Sequence, residues 1–367
     1  MSALKDMYSP AFYHRFADML AQTVPDFDKQ RFITQIFDGT FEQKELKDRM
    51  RHTTRVLHSF LPAQFNEAAG LLEKIIDHLR KENPQQDSFA FIFFPDYIET
   101  YGLEDFAASV KAIEFVTQFI SCEFAVRPFL LKYGDKMMQQ MMQWSRHENH
   151  KVRRLASEGS RPRLPWAMAL PALKKDPAPV LVLLENLKND PHEWVRRSVA
   201  NHLNDISKDH PGVVLKIANA WKGHSKETDA IIRHGCRTLL KQANREVLKL
   251  YNLESEQIAM EKFVLLTPTV NIGESLTFTF AVTNRNAAVH KVRLEYAVYF
   301  RRQNGQLSKK VFKISERDFA SGEQATIVRK QKFIPITTRK FYAGTHRLSV
   351  IVNGEEKDIA NFELTIA

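Results

Sequence analysis

Two acidic residues, Glu123 and Asp205, have surroundings in this sequence that could support chemistry. Glu123 lies in FISCEFAVRPFL (119–130), and we expect it at the end of an apolar helix, facing a groove with little water. A partly desolvated carboxylate is unfavourable unless it has a partner or a function. Such a group can stabilise developing positive charge and orient an attacking water molecule. In the structural alternative, Glu123 is a surface residue or pairs with Arg127.

Asp205 lies in the segment 190–211, which we predict to be a helix with two different faces. One face is an apolar stripe formed by Val195, Val199, Leu203 and Ile206. The polar stripe, roughly 120° away at about 100° per residue, contains Trp194, Ser198, Asn201 and Asp205. Inner helices of a repeat array line its concave binding surface, so we predict that this polar stripe faces a ligand. In the alternative, Asp205 pairs with Lys208 and Trp194 packs at the helix start.

The segment SEGSRPRLPW (157–166) is the third candidate, because one glycine and two prolines interrupt its helical pattern. Arg161 and Arg163 carry guanidinium groups, whose forked donors suit phosphate. Trp166 follows them and could offer a flat surface to a ligand. The pattern predicts a loop that reaches toward a ligand, and the alternative is that Trp166 fills the core between repeats.

A repeat with an offset of 43 residues relates these segments. HENHKVRR (147–154) aligns with DPHEWVRR (190–197) through VRR, and a weaker copy is IIRHGCRTLL (231–240). This period is typical of paired helices of the HEAT type. Asp190 and Pro191 form a good helix start. The sequence therefore predicts an all-α, HEAT-like repeat solenoid over residues 1–260, in which Pro162 takes the position equivalent to Asp205.

Apolar residues at spacings of three and four support this prediction in the N-terminal part, and the period changes to two after about residue 263. The helical segments are FYHRFADMLAQTV (12–24), FNEAAGLLEKIIDHLRK (65–81) and LEDFAASVKAIEFVTQFISCEF (103–124). SLTFTFAV and VRLEYAVYF alternate apolar with other residues, and Asn353-Gly354 is a hairpin signal. We predict an all-β immunoglobulin-like sandwich over residues 264–367.

The charge points to an anionic partner, most simply nucleic acid. The formal net charge is +10, and residues 261–367 hold 17 Lys and Arg against 10 Asp and Glu. The densest basic stretches of the sandwich are 301–313 and 328–340. We predict that this domain contacts a phosphate backbone, and the alternative is a solvated edge whose lysines discourage strand addition.

Other functional classes have little support. Cys122 and Cys236 are far apart and form neither a ligand cluster nor a disulfide framework, so we expect reduced thiols. No nucleotide-binding glycine loop, zinc-protease motif or nucleophile arrangement occurs. The sequence shows no signal core and no apolar run of about 18 residues. We expect a cytoplasmic protein without metal or cofactor, and no membrane association.

Four strings together resemble the AlkC branch of the AlkC/AlkD superfamily of DNA alkylation-repair glycosylases, across nearly the whole chain. They are FPDYIETYGLEDF (94–106), FISCEFAVRPFL (119–130), HKVRRLASEGSRPRLPW (150–166) and DPHEWVRRSVANHLNDISKDHP (190–211). RLASEGSRPRLPW is the specific one, because a generic HEAT protein has no reason to contain it. The sandwich resembles the immunoglobulin-like extension of one AlkC subgroup.

The resemblance implies a bacterial-type, monomeric and monofunctional DNA glycosylase that acts on alkylated duplex DNA. Its expected substrates are cationic N3-alkylated bases, 3-methyladenine first and 3-methylcytosine second, excised without a base-flipping pocket. Glu123 and Asp205 match the glutamate and aspartate expected of AlkC-like members, and would stabilise the oxocarbenium-like sugar and orient water. The residues that we predict to contact DNA are Arg153, Arg154, Arg161, Arg163, Trp166, Trp194, Arg196, Arg197, Arg233, Arg301, Arg302, Lys309, Lys310, Arg339 and Lys340.

Two other functions stay open. A non-enzymatic HEAT scaffold that binds DNA or an acidic partner would need the arginines but not the two carboxylates. A glycosylase-lyase would use a lysine Schiff base, and borohydride would trap it on DNA.

Overall fold

The computed structural model describes residues 4–82, 88–254, 256–335 and 340–366. The chain folds into two compact units, Met1–Val214 with Trp221–Gly235, and Leu215–Ala220 with Cys236–Ala367. The first unit is helical. The second contains the β-strands, the last two helices and, in Leu215–Ala220, part of an earlier helix. The predicted class, a helical repeat domain followed by an all-β domain, is confirmed.

The α-helices are short and follow one another closely. Within the described residues they are α1 (Pro10–Thr23), α2 (Lys29–Ile36), α3 (Leu46–His58), α4 (Phe65–Glu82), α5 (Phe93–Tyr101), α6 (Phe106–Thr117), α7 (Val126–Trp144), α8 (His150–Gly159), α9 (Pro171–Lys175), α10 (Ala178–Leu187), α11 (Glu193–Ile206), α12 (Pro211–Trp221), α13 (Lys226–Gly235), α14 (Arg237–Lys241) and α15 (Arg245–Leu250). Single 3₁₀ turns occur at Leu4–Met7, Phe41–Gln43 and Ser88–Phe91.

The offset of 43 residues is visible in how α8 and α11 begin. Their N-caps, Asn149 and His192, are 43 positions apart, and each side chain accepts a hydrogen bond from a backbone N–H of its own helix. Arg153 Nη1 donates to the carbonyls of residues 147 and 148, and Arg196 Nη1 donates to those of residues 190 and 191. The N-cap residues and the arginines at equivalent positions therefore make the same hydrogen bonds in both repeats.

Two predicted helices have different bounds in the structure. The helix predicted over residues 190–211 spans Glu193–Ile206, and a new helix begins at Pro211. The first of these starts late because Asp190 accepts from the backbone N–H of His192 and pairs with an arginine instead of capping. The helix predicted to reach Glu123 ends at Thr117, whose hydroxyl accepts from the backbone N–H of Cys122. This bond replaces a helical one, so the chain turns before α7.

Aromatic side chains fill the core of the N-terminal helices. Phe12, Tyr13 and Phe16 on α1 are buried, and the Phe12 ring contacts Tyr13 edge to face and stacks with Phe16. Phe16 also contacts Phe91 and Phe93, with ring centroids 5.9 and 5.2 Å away. Such pairs contribute about 0.5–1.5 kcal/mol each beyond their burial. This packing holds α1 against α5, which lines the site described below.

The strands form two sheets. They are β1 (Ile258–Leu265), β2 (Thr269–Asn271), β3 (Ser275–Asn284), β4 (His290–Arg301), β5 (Leu307–Phe319), β6 (Gln324–Lys332), β7 (Gly344–Val352) and β8 (Glu355–Thr365). The described strands order as β1-β3-β6 in one sheet and β2-β8-β7-β4-β5 in the other. All pairs are antiparallel except β2 with β8.

Alternation along β3 confirms the predicted period of two, since Leu276, Phe278, Phe280 and Val282 are all buried. β4 differs, because residues of both faces are buried. Its Arg293 and Glu295 form a buried ion pair, with Glu316 on β5 as a further partner of the arginine. A central strand covered on both faces can hold charges only when they are paired in this way.

The predicted hairpin turn at Asn353-Gly354 is confirmed, and it joins β7 to β8. Both residues have positive φ, 48° and 81°, as a type I′ turn requires. The Asn353 side chain donates to the carbonyls of Glu254 and Lys291 and accepts from the backbone N–H of Arg293. The turn is therefore fixed by its own side chain as well as by its backbone.

Both cysteines lie inside the fold. Cys122 and Cys236 are buried, and burial raises the pKa of the Cys122 thiol well above its usual range. Among the residues that the structure describes, no helix is both long enough and apolar enough to cross a bilayer.

The close approach of α8 to α7 provides a stability test. A Cβ added at Gly159 would lie 2.5 Å from Val126 Cγ1 and 3.2 Å from Met141 Cε. We expect Gly159→Ala to lower the free energy of unfolding by about 1–3 kcal/mol, because well-packed cores resist added atoms. Gly70→Ala on α4 is the matched control, since nothing lies within 4 Å of its Cβ position. That change should raise stability by about 0.5–1 kcal/mol. Urea unfolding followed by far-UV circular dichroism measures both, and equal effects would contradict the packing argument.

Candidate active site

A cavity of about 1070 Å³ opens in the N-terminal unit. Its wall is formed by α3, α5, the segment between α6 and α7, α8, the loop 164–168 and the start of α11. Five of the predicted site residues line it: Glu123, Arg154, Arg161, Trp166 and Trp194. Asp205 is not among the lining residues. Aromatic rings contribute to the wall, namely those of Phe89, Phe119, Phe124, Trp166 and Trp194.

Glu123 is held at one oxygen atom. Its Oε2 accepts hydrogen bonds from the Ser121 hydroxyl and from Arg154 Nη1, the latter at 2.7 Å. Arg154 Nη1 also donates to the Ser121 hydroxyl at 3.0 Å, so the three groups are mutually bonded. Oε1 accepts no hydrogen bond from any residue in the described ranges. The carboxylate thus has one fixed and one available oxygen atom.

Arg154 links this carboxylate to the first residue of the polar stripe on α11. Its Cζ lies 4.8 Å from the centroid of the Trp194 ring, a cation–π contact. Both side chains line the cavity, and the Arg154 side chain is only 14% exposed. The alternative partner of Glu123, Arg127, lies elsewhere: it donates to the carbonyls of Met168, Gly159 and Arg161.

Asp205 is buried at the centre of an ion-pair network. Its Oδ2 accepts from Arg161 Nε at 2.8 Å, and its Oδ1 accepts from Lys208 Nζ at 3.0 Å. Arg161 Nη1 donates to Glu158 Oε1 at 2.6 Å, and Ser198 Oγ donates to Glu158 Oε2 at 2.6 Å. The pairing with Lys208 that the alternative proposed is therefore present, together with a stronger, buried partner in Arg161.

Two further cationic or titratable groups are buried beside this network. Burial and the charge of Arg161 lower the pKa of His202 to about 3, so the imidazole is neutral and its Nδ1 donates to the Ser157 carbonyl. Burial likewise lowers the pKa of Arg127 to about 10, which leaves it charged at neutral pH. Arg127 therefore ties the start of α7 to the loop that follows α8.

Trp166 is the most exposed of the large apolar side chains in this region. It is 73% exposed, and its backbone has a φ of 66°, in the left-handed region that a tryptophan rarely adopts. Lys47 Nζ of α3 donates to its carbonyl at 2.9 Å, which joins the loop 164–168 to α3. The loop thus presents the indole outward rather than burying it between repeats.

The remaining predicted DNA contacts of the helical unit differ in availability. Arg153 forms a bidentate ion pair with Asp190, in addition to its bonds within the repeat. Arg163 pairs with Asp209 at the surface. Arg197 is exposed on α11, and Arg233 lies in the last turn of α13.

The basic residues of the β-domain lie on its surface. Arg301, Arg302, Lys309, Lys310 and Lys340 are exposed, and Lys309 pairs with Glu356 at 2.9 Å. Arg339 lies outside the described residues. The exposed cations stand at the end of β4, along β5 and just before β7.

Sequence reasoning missed seven charged residues of the cavity: Lys47, Asp48, Arg51, Asp96, Glu99, Lys151 and Glu158. Asp96 is buried, and its Oδ1 lies 2.7 Å from Arg51 Nη2. Burial and the neighbouring charge of Asp96 raise the pKa of Glu99 to about 7. The available signal was the string FPDYIETY, where two acids one turn apart interrupt an apolar helix. The sequence contained no signal for Glu158, because the segment 157–166 has an interrupted helical pattern that does not assign its side chain to a face.

The chain resembles known proteins along its whole length. Residues 104–239 match the family described as DNA alkylation repair enzyme, and residues 259–366 match the one described as uncharacterised protein YhaZ, C-terminal Ig-like domain. The chain is 43% identical over 365 residues to the uncharacterized protein YhaZ of Bacillus subtilis (strain 168), which covers 99% of this chain and 100% of that protein.

A solved structure is similar over the same extent. It is Pseudomonas fluorescens alkylpurine DNA glycosylase AlkC bound to DNA containing an abasic site analog. The TM-score is 0.93 at 34% identity, with 99% of this chain and 100% of that chain covered. The likeness therefore includes both the cavity and the β-domain.

Two arginines of one loop offer a matched test of the network. Arg161→Met leaves two buried carboxylates without their shared cation, so we expect the free energy of unfolding to fall by about 3–5 kcal/mol. Arg163 also pairs with an aspartate near the end of α11, but at the surface. Arg163→Met should therefore change stability by about 1 kcal/mol or less. Urea denaturation of both variants decides the point, and a small loss for Arg161→Met would contradict the assigned role.

Proposed function

Because this chain belongs to the AlkC-like DNA alkylation repair enzymes that carry a C-terminal immunoglobulin-like domain, we propose that it is a DNA glycosylase acting on alkylated duplex DNA. Its substrates are cationic N3-alkylated bases, 3-methyladenine first and 3-methylcytosine second. The reaction is monofunctional: water, and not a lysine of the protein, replaces the base.

The observation that carries this proposal is the position of Glu123. One oxygen is fixed by Ser121 and Arg154, and the other is available within the cavity. A carboxylate oriented before the reaction requires little reorganisation as charge develops in front of it. Partial exclusion of water strengthens its interaction with a cation.

The chemistry needs a carboxylate but no general acid. The N-glycosidic bond breaks with both electrons leaving on the base, and the alkylated base is neutralised by that step. The sugar is left with positive charge, similar to the oxocarbenium ion of glycoside hydrolysis. Glu123 stabilises this charge and orients a water molecule toward the anomeric carbon. The water adds and loses its proton, which gives an abasic site and the free base.

Asp205 supports the reaction from a different position. Both of its oxygen atoms are occupied by Arg161 and Lys208, and it is buried. We therefore assign it the role of a positioning residue, which fixes Arg161 and through it the cavity wall. This refines the expectation that Glu123 and Asp205 share one task.

DNA binding is assigned to cations and rings that line the cavity or lie at the surface and that the fold does not fully use. In the helical unit these are Arg154, Arg163, Arg197, Trp166 and Trp194. Arg153, Arg161 and Arg196 are used mainly within the fold, so they support DNA contact indirectly. In the β-domain the exposed cations around the end of β4 and the start of β5, Arg301, Arg302, Lys309 and Lys310, bind the phosphate backbone. The duplex bends so that the deoxyribose of the lesion reaches Glu123, and the protein acts as a monomer in the bacterial cytoplasm.

Neutral variants of the two carboxylates test the mechanism. We expect Glu123→Gln to slow single-turnover release of 3-methyladenine by about 100- to 1000-fold, the usual effect of losing a transition-state electrostatic contact. Its affinity for duplex DNA with an abasic-site analogue should be kept. Asp205→Asn should lower the rate and stability together. Normal release of 3-methyladenine by both folded variants would contradict the roles assigned to Glu123 and Asp205. A wild-type protein that binds DNA but releases no base would favour the non-enzymatic HEAT scaffold.

DNA binding by the β-domain is tested by removing two positive charges from either of two places on its surface. We expect the pair Arg302→Ala and Lys310→Ala to weaken duplex binding and to reduce the salt slope by about 2. The matched pair Arg285→Ala and Lys291→Ala removes the same charge from other parts of the domain. Fluorescence anisotropy over a salt series measures both. Equal slopes for the two pairs would show that the charge acts only through the net field.

A further inference from the structure

The cavity is balanced in charge although the protein is strongly basic. Among the described residues that line it, five are basic and five are acidic: Lys47, Arg51, Lys151, Arg154 and Arg161, and Asp48, Asp96, Glu99, Glu123 and Glu158. Acidic groups repel the phosphates of DNA. A phosphate can therefore enter this cavity only where a cation has hydrogen-bond donors that the protein does not use.

Arg161 is fully engaged, whereas Lys47 and Lys151 each donate to one backbone carbonyl and keep further N–H donors, without the forked geometry that suits a phosphate. Arg161 is shared by two buried carboxylates. Lys151 Nζ donates to the carbonyl of Gln118 at 2.7 Å, and Lys47 Nζ donates to that of Trp166.

Arg51 and Arg154 are different. Each meets its carboxylate through a single terminal nitrogen, Nη2 in Arg51 and Nη1 in Arg154. Their other guanidinium nitrogens donate to no residue in the described part of the chain. Both groups therefore have spare donors and a fixed orientation.

Arg51 is the ionic partner that lies nearest to Asp96, and the Thr54 side chain also lowers the pKa of this carboxyl group. The Asp96 side chain is only 3% exposed, and its Oδ2 accepts no hydrogen bond from the described residues. Burial raises the pKa of Asp96, and the charge of Arg51 opposes this effect. Burying a charged carboxylate costs free energy, so we infer that Asp96 is kept because it orients Arg51. The arrangement Asp96–Arg51 thus parallels Glu123–Arg154 on a different part of the wall.

We propose that Arg51 binds a backbone phosphate of the lesion-containing duplex, as the counterpart of Arg154 within the same cavity. The proposal rests on the proposed function for its ligand. A forked guanidinium fits a phosphate, and two such groups in one cavity hold the strand at two points. Holding the strand at two points restricts the sugar between them, which favours its approach to Glu123.

Glu99 modulates this contact. Its carboxylate lies 3.9 Å from Arg51 Nη2, and the charged groups that act on it are Asp96 on the same helix and Arg51 and Lys47 on α3. With a pKa of about 7, Glu99 is partly neutral at physiological pH and repels a phosphate less than an ordinary glutamate. As the pH rises, Glu99 ionises and the contact weakens.

The test is equilibrium binding to a duplex with an abasic-site analogue, which needs no base release. We expect Arg51→Met to weaken binding about 10-fold and to lower the salt slope by about 1. Arg55→Met is the matched control, because Arg55 is exposed on the same helix and does not line the cavity. It should change affinity by less than about 2-fold. Should Arg51→Met unfold, Arg51→Lys keeps the charge, and it should preserve the slope while losing affinity.

Glu99→Gln supplies a change of opposite sign. At pH 8 it removes a negative charge beside the phosphate, so binding should tighten by about 3-fold, whereas at pH 6 it should change little. Disturbed packing weakens binding in every variant and cannot produce this result. The proposal is overturned if Arg51→Met keeps the wild-type salt slope, or if Glu99→Gln does not tighten binding at pH 8. Absence of base release by the wild-type protein refutes the proposed function instead, because the binding assay is independent of it.

Discussion

The buried contact of Arg161 with Asp205 and Glu158 is the interaction on which the site depends. It joins the end of α8 to α11 through a residue that belongs to neither helix. Without it, two carboxylates would face each other in a low-dielectric region, where their repulsion is large. With it, the chain after α8 has a fixed path. Arg127 completes this path by donating to carbonyls on both sides of the turn. The loop that carries Trp166 then becomes a wall of the cavity.

Pairs of a guanidinium group and a carboxylate also occur in the wall of the cavity, where the arginine keeps unused donors. Arg154 with Glu123 and Arg51 with Asp96 are guanidinium–carboxylate pairs in which one nitrogen is used and others are left over. In the buried pair the charges stabilise the fold, and in the open pairs they orient each other for an outside partner. A pair oriented in advance loses less entropy when a ligand binds. The number of guanidinium donors that the protein leaves unused therefore separates the pairs that stabilise the fold from the pairs that can bind a ligand.

Local pattern allowed much of the fold to be predicted, but less of the site. The alternation of β3, the turn at Asn353-Gly354 and the offset between Arg153 and Arg196 depend on nearby residues, so sequence spacing reveals them. Glu123 was recognised by its apolar neighbours, although its helix ends earlier because Thr117 bonds back to the chain. The Arg51–Asp96 pair joins residues 45 positions apart on different helices, and no local period records such a contact. Helical geometry also could not show that Arg153 and Arg196 turn back on their own loops.

The interruption of the repeat explains why the site lies where it does. α8 and α11 start 43 residues apart, but α8 ends at Gly159, whereas α11 continues to Ile206, about one turn beyond the equivalent position. Asp205 lies in that extra turn, and Pro162 occupies the matching place after α8. The missing turn frees residues 160–170 to form a loop, and the extra turn supplies the aspartate that holds the first arginine of that loop. A regular array would have closed this gap with helix. The lost turn in one repeat and the added carboxylate in the next are therefore a single structural change, and the cavity is its result.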